Sequence, residues 1–514
     1  MLNFLKKLYD KKQNELEKTV NSLNAPLEKL KVGETLEENL QICKRVFADM
    51  DVITFKEVAC EGEQSLKYLL IYCDGMVDRG IINDNVLKPL MSAPPEDTED
   101  LIGALKKSVI HANDAISTDS FKDIVEFVAA GYTAVFVDGV GEAIALNTKE
   151  CCGRAVMEPE NEKVIGGPKE GFTEDILKNL ALIIKRVRTN ELKTKYLTVG
   201  RITRTKICLC YFDIIADKNI LNQLIQKLNK LDIDGVLDSN YIVELIRDNR
   251  YSAFRTVGYT ERPDTAIAKM LEGRIIVLVD GSPMVLSIPY LFVENFQSSE
   301  DYYFNFYYSS FARILRMAAF LLTISIPAFY IAVVAYHHEM LPLPLMTRIA
   351  MEQQRVPFPS AIEAVIMIFI FDMLRETGVR MPSSIGQTLS IVGALVIGQA
   401  AVEASLVSAP MIIVVAATGI TSLLVPKLNA PIIVYRFFFL FLSSVLGFFG
   451  FTIAMSIMII HILNLTSSGV DQVQLDGSLK LHKSKDTFAR MPWNFMQTRP
   501  DRTTANITRE ASDL

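Results

Sequence analysis

Charge is what the later part of this chain lacks. Between Met317 and Val470 only 12 of 154 residues are charged, although the 514 residues together carry 53 Lys+Arg and 59 Asp+Glu. So apolar a block inside an otherwise polar chain excludes a wholly soluble enzyme, and 50% hydrophobic residues exclude a disordered chain. The net charge is −6 and no basic cluster stands out, which argues against a nucleic-acid surface. Cysteine is scarce. Seven residues (Cys43, Cys60, Cys73, Cys151, Cys152, Cys208 and Cys210), with no C-x-x-C pair, exclude a disulfide scaffold and point to reduced thiols. Cys208 and Cys210 alternate on one face of an expected strand, but a zinc site needs more ligands than the neighbourhood offers. No Ser/His/Asp set assembles from five histidines. We therefore expect no enzyme, no cofactor and no bound metal.

Three short motifs fail on inspection. Gly139-Val140-Gly141 lacks a third glycine and leads into a second strand, so Tyr132–Leu146 reads as a hairpin rather than a dinucleotide loop. Val164–Phe172 is a Gly/Pro loop without the Lys-Ser/Thr of a phosphate loop. Asp232, Asp234 and Asp238 lack the glycine a calcium loop needs at its sixth place.

What is present suggests several parts. Residues 1–35 form a charged arm. Residues 36–160 read as a first α/β subdomain, 161–194 as a linker loop and helix, and 195–310 as a second α/β subdomain. Thr173 is the expected cap of the linker helix, whose apolar face carries Leu177, Leu180, Ala181 and Ile184. Residues 311–470 follow as an α-helical transmembrane domain and 471–514 as a polar tail. The fold class is thus multi-domain, an α/β N-terminal region of two subdomains followed by a helical membrane domain. No apolar export segment follows Met1–Lys7, so the α/β region is expected to stay in the cytoplasm.

Four spans are expected, at 317–338, 384–402, 405–425 and 437–464, with an interfacial or re-entrant helix at 356–374. Pro327 should kink the first, and the last is long enough to tilt. Loop charges do not settle orientation. A cytoplasmic tail would require an even number of crossings. Glu363, Asp372 and Arg375 lie at membrane depth, and Asp372 and Arg375 stand i,i+3 apart, close enough to pair. Thr388, Val392, Val396, Gln399 and Glu403 fall on one helical face. Two readings fit that stripe. Its small neighbours favour helix packing in lipid. Its valines and terminal carboxylate suit a cation path with an apolar gate. No internal repeat and no matched pair of broken helices is visible, which argues against a self-contained transporter.

Several strings resemble the A subunits of spore germinant receptors, the GerA family. Gly167-Pro168-Lys-Glu-Gly171-Phe172, with Glu174, Asn179, Arg186 and Arg188, resembles its cytoplasmic signature. Val356-Pro-Phe-Pro359 with Glu363, and Leu374-Arg-Glu376, resemble its mid-membrane segment. Ile385-Gly-Gln387 and Ile391–Ala404 are the most specific match, and Asp486–Trp493 with Arg499-Pro500 is similar too. The resemblance covers roughly residues 115–500. It implies an integral protein of the inner spore membrane, a homo-oligomer working with a permease-like B subunit and a lipoprotein C subunit. It also implies that the A subunits form a ligand-gated cation channel whose opening starts germination. The stage V sporulation protein AF shares much of the pattern, and a non-conducting scaffold in the receptor complex is the other alternative.

Overall fold

The structure is a computed structural model describing residues 27–60, 66–92, 115–149, 158–380, 398–473 and 486–496, with a few single positions besides. The chain divides into two compact units. One holds Met1–Ile246, Val257–Pro289 and Arg499–Thr508; the other holds Arg247–Thr256, Tyr290–Thr498 and Arg509–Leu514.

The first unit is built of two five-stranded sheets of identical strand order. Strands β1 (Ile53–Ala59), β2 (Lys67–Cys73), β3 (Ala115–Thr118), β4 (Tyr132–Val137) and β5 (Ala143–Asn147) run in the order β1-β2-β4-β5-β3. Strands β6 (Leu192–Val199), β7 (Thr205–Phe212), β8 (Gly258–Thr260), β9 (Ile275–Val279) and β10 (Val285–Ile288) run in the order β6-β7-β9-β10-β8. Both sheets are antiparallel throughout. The expected Tyr132–Leu146 hairpin is β4-β5.

The region is therefore a topological repeat, which the sequence does not reveal. Each half opens on an 11-residue helix, α1 (Leu36–Val46) and α3 (Ile176–Arg186). Each helix carries a buried asparagine at its fourth position that ties the preceding loop. Asn39 accepts from the Gly33 amide and donates to the Gly33 carbonyl, both at 2.8 Å. Asn179 does the same with Thr173, at 2.7 and 2.5 Å. Thr173 is thus not the cap: Asp175 is, accepting from Leu177 N at 2.9 Å. Asp78 and Asp217 cap the helices after β2 and β7. A second helix precedes the fourth strand of each half, α2 (Phe121–Ala129) and α6 (Pro263–Leu271). Asp138-Gly139 and Asp280-Gly281 turn the last hairpins at φ 85° and 84°, where glycine meets no Cβ penalty.

In the second half α4 (Lys218–Asn229) follows β7, as the helical stretch 79–92 follows β2, and α5 (Ser239–Ile246) comes next. Leu69 and Phe136 of one sheet, Cys208 and Leu278 of the other, and Leu180 and Ile184 of α3 belong to one buried cluster. The segment expected to link two subdomains thus carries a helix of their shared core. The described cysteines are all free thiols in the interior.

The second unit is helical. Helix α7 (Phe306–Tyr336) runs unbroken through Pro327 and is long and apolar enough to cross a membrane. Helices α8 (Leu343–Arg355) and α9 (Ser360–Arg380) meet at a 76° bend, so the expected 356–374 element is one arm of a bent pair. Helix α10 (Ala409–Leu423) has 15 residues. At 1.5 Å per residue that is about 22 Å, short of a roughly 30 Å hydrocarbon core, so 405–425 is not a full span on its own. Residues 381–395 lie outside the described residues, and with them most of the expected 384–402 span.

The expected tilted last span is instead a hairpin. Helix α11 (Asn429–Leu463) reverses at Gly447, whose φ of 60° and ψ of −137° are not helical. Its arms then lie together: the Tyr435 hydroxyl bonds His461 Nδ1, and the Phe439 and Phe451 ring centroids stand 5.6 Å apart. The Tyr336 hydroxyl donates to Ser444 O at 2.7 Å and Val445 O at 3.0 Å, satisfying carbonyls freed by the reversal. The exit from α11 returns beside the entry to α7, since Phe292 N donates to Gln472 O at 3.1 Å.

Candidate functional site

Polar groups inside the helical unit tie four segments together. Glu363, near the start of α9, is 2% exposed. Its Oε1 accepts from Ser408 N at 2.5 Å and from Ser408 Oγ at 2.7 Å. Ser408 precedes α10, so a carboxylate stands at that helix's positive end, where dipole and free amides favour it. Two and a half turns on, Asp372 pairs with Arg436 of α11, whose side chain is 2% exposed. Arg375 donates to Ser422 Oγ at 3.2 Å and to Asn429 Oδ1 at 2.8 Å. The i,i+3 pairing expected of Asp372 and Arg375 is therefore replaced by two longer reaches. The reason is geometric: α9 faces both α10 and α11, and each partly buried charge bonds across to a neighbour rather than along its own surface.

Of the expected stripe, Thr388 and Val392 lie outside the described residues. Val396, Gln399 and Glu403 are described, and all three are exposed on one face of a helix ending at 403. That helix closes on a left-handed residue, Ser405 at φ 54°. Leu406 N donates to Ala401 O and Ser405 N to Val402 O, both at 2.9 Å. This is the αL termination that glycine normally supplies. Ser405→Gly is expected to stabilise the protein by about 1 kcal/mol, because the left-handed cost of a Cβ disappears. A higher midpoint in SDS-titrated unfolding would register it; a lower one would rule out a left-handed Ser405. The turn then reaches Ser408 and the Glu363 tie. Glu363 thus fixes the connection directly after Glu403.

The signature loop of the α/β region has a structural explanation. Gly167 has φ 115°, and the Pro168 carbonyl accepts from Arg262 Nη2 at 2.7 Å. Arg262 is fully buried and also pairs with Asp264. Gly171 and Phe172 are buried, and Phe172 N donates to Glu261 O at 2.7 Å. The Glu174 carbonyl accepts from Gly281 N at 2.8 Å. Arg186 Nη2 donates to Glu170 Oε2 at 2.6 Å. Partial burial would raise the Glu170 pKa, but Arg186 and Lys185 outweigh it and hold the carboxyl below its usual range. Arg188 is exposed. These residues hold the entrance to α3, as their counterparts hold α1.

Sequence reasoning missed the cluster at the start of α7. Arg313, fully buried, donates to Asp301 Oδ2 at 3.3 Å and to Asp486 Oδ1 at 2.8 Å. Arg316 pairs with Asp301 at 2.5 Å, and Tyr302 OH donates to Asp486 Oδ2 at 2.6 Å. Arg490 donates to Phe304 O at 2.8 Å and lies over the Trp493 ring at 5.5 Å. Asp486 and Arg490 fall in the tail string, whose polar, periodless composition gives no sign of a packed partner.

Comparison with known proteins bears on the whole chain. The family model described as "Bacillus/Clostridium GerA spore germination protein" matches residues 41–502. The uncharacterized membrane protein YfkQ of Bacillus subtilis is 37% identical over 91% of this chain and 91% of its own. Spore germination protein KA of the same organism is 34% identical over 91% of this chain and 87% of its own. Spore germination protein A1, also from Bacillus subtilis, is 33% identical over 91% of this chain and 96% of its own. Among solved structures, the N-terminal domain of the A subunit of the Bacillus megaterium spore germinant receptor GerK3 is 28% identical. It covers 51% of this chain and 97% of its own, with a TM-score of 0.41. With a match over nearly its full length, the chain belongs to the GerA family of spore germination proteins.

Proposed function

We propose that this chain is the A subunit of a nutrient germinant receptor in the inner spore membrane, and that copies of it assemble around a cation path whose opening starts germination. The observation that carries the path is the exposed face of Val396, Gln399 and Glu403, closed by a turn that Glu363 holds. A carboxylate left against lipid would cost roughly 2.5–3.5 kcal/mol, so an assembly gains by turning Glu403 toward water. Carboxylates from several copies then favour cations, and the valines above them make a stretch that excludes water when narrow. The side-by-side entry to α7 and exit from α11 favour an even number of crossings, with the α/β region and tail in the cytoplasm. A permease-like B subunit and a lipoprotein C subunit are the partners that bring nutrient recognition.

The test is potassium flux from liposomes holding the protein with those two subunits and germinant. Glu403→Gln should lower the flux about ten-fold or more, since one charge about 8 Å from the ion contributes roughly 2 kcal/mol at an effective dielectric of 20. Flux unchanged in Glu403→Gln would remove the residue from the path. No flux in the wild-type complex would favour a docking scaffold instead.

A further inference from the structure

The two repeats of the α/β region differ at one end of the sheet. In the first, the chain continues from β5 along the turn after β2. Asp78 N donates to Thr148 O at 2.8 Å, and Val77 and Lys149 form an antiparallel bridge. Thr148 is fully buried, and a Cβ on Gly131 would stand 3.1 Å from Lys149 Cγ. In the second repeat β10 ends at Ile288 and the chain enters the other unit at Tyr290, so no such residues follow.

The site is filled nonetheless. Ala216, the counterpart of Val77, forms an antiparallel bridge with Thr504. Thr504 Oγ1 donates to Ile215 O at 2.8 Å, across 289 residues of sequence. Thr503 Oγ1 donates to Glu272 O at 3.1 Å and accepts from Arg274 Nη1 at 3.4 Å. Thr503 is fully buried, as Thr148 is. Gly273, the counterpart of Gly131, has φ 90°, and a Cβ there would lie 2.3 Å from Thr503 O. Arg499 Nε donates to Leu271 O at 2.7 Å. The same site is thus closed by the chain's own continuation in one repeat and by a remote segment in the other.

We propose that the second repeat is a peptide-accepting half-fold: the end of its sheet between Ile215–Ala216, after β7, and Leu271–Arg274, before β9, binds a segment that presents an arginine and a Thr-Thr pair, and its occupant is Arg499 with Thr503 and Thr504 of the same chain. The bridge at Thr504 and the threonine hydrogen bonds supply the affinity, and the buried Thr503 supplies the selectivity. The inference stands on the α/β unit alone and does not depend on the cation path.

The full-length protein carrying Ala216→Cys and Thr504→Cys tests it. Directly opposed antiparallel residues have Cα atoms about 4.5–5.5 Å apart, within disulfide reach. Mild oxidation should give a bond within single chains, seen as a thiol-reversible shift of the monomer band. Adding Thr503→Val, or an excess of free peptide spanning residues 498–508, should slow its formation at least ten-fold. Adding Gly273→Val should abolish it. No bond beyond that of an Ile202→Cys/Thr504→Cys control would overturn the site. Bonds formed only between molecules would overturn the own-chain occupant, and no response to peptide would overturn exchangeable binding. Thr503→Val leaves the backbone able to fold, so the test survives a Gly273→Val chain that does not.

Discussion

Asp372→Leu is expected to cost roughly 3–5 kcal/mol of stability in detergent, measured by SDS-titrated unfolding. The loss comes less from the carboxylate than from what it leaves behind. Arg436 is 2% exposed and pairs with Asp372, while its Nε has no hydrogen-bond partner among the described residues. Without Asp372 a buried guanidinium loses its counter-charge. The double variant Asp372→Leu, Arg436→Met should recover most of the loss, because apolar isosteres of a buried pair are often neutral or better. The coupling between the two should therefore be about 3 kcal/mol, far above the few tenths expected of independent sites. Arg375→Met should cost less, roughly 1.5–3 kcal/mol, since its partners Ser422 and Asn429 are neutral and carry no charge to strand. If Arg375→Met and Asp372→Leu cost the same and do not add, the two pair with each other and the tie to α11 is wrong.

Gly447→Val should be as damaging. Its φ of 60° and ψ of −137° lie where a side chain is strained by about 1–3 kcal/mol. A Cβ would also stand 2.8 Å from the Tyr336 ring, which adds about 1–3 kcal/mol of overpacking. The expected sum is roughly 3 kcal/mol or more, with loss of the Tyr435–His461 contact that holds the arms together. Tyr336→Phe should cost only about 1 kcal/mol, the net value of hydrogen bonds that other groups partly replace. A Gly447→Val protein as stable as the wild type would mean that residues 429–463 form one continuous rod.

Local pattern made much of the α/β region legible. Alternation of apolar strands with amphipathic helices marks β7, α4, α6 and β9 because each element needs only its own spacing to declare itself. The repeat was not legible, because residue identity recurs at only a few scattered positions: Asn39 and Asn179, Asp78 and Asp217, Gly131 and Gly273. Scattered polar anchors among interchangeable apolar residues leave little identity to detect, whereas the sheet order displays them at once.

The membrane block followed the same division. Its low charge announces helices in lipid, since no other open structure satisfies its backbone there. Hydropathy is blind to direction, however, and a long apolar run reads alike whether it continues or folds back. Gly447 decides between them only through its dihedrals and the Tyr336 ring beside it. Spacing brought Asp372 and Arg375 together on paper, while packing sent each to a different helix. The sequence by itself determined the family, the α/β and helical regions, and which few polar residues sit at membrane depth, because composition and short motifs are local properties. Only the tertiary structure decided the partners of those residues, the reversal at Gly447 and the capture of Thr503 and Thr504 by the second sheet. Each of these joins segments far apart in the chain, and burying a charge or a backbone carbonyl forces a partner without specifying where along the sequence it must come from.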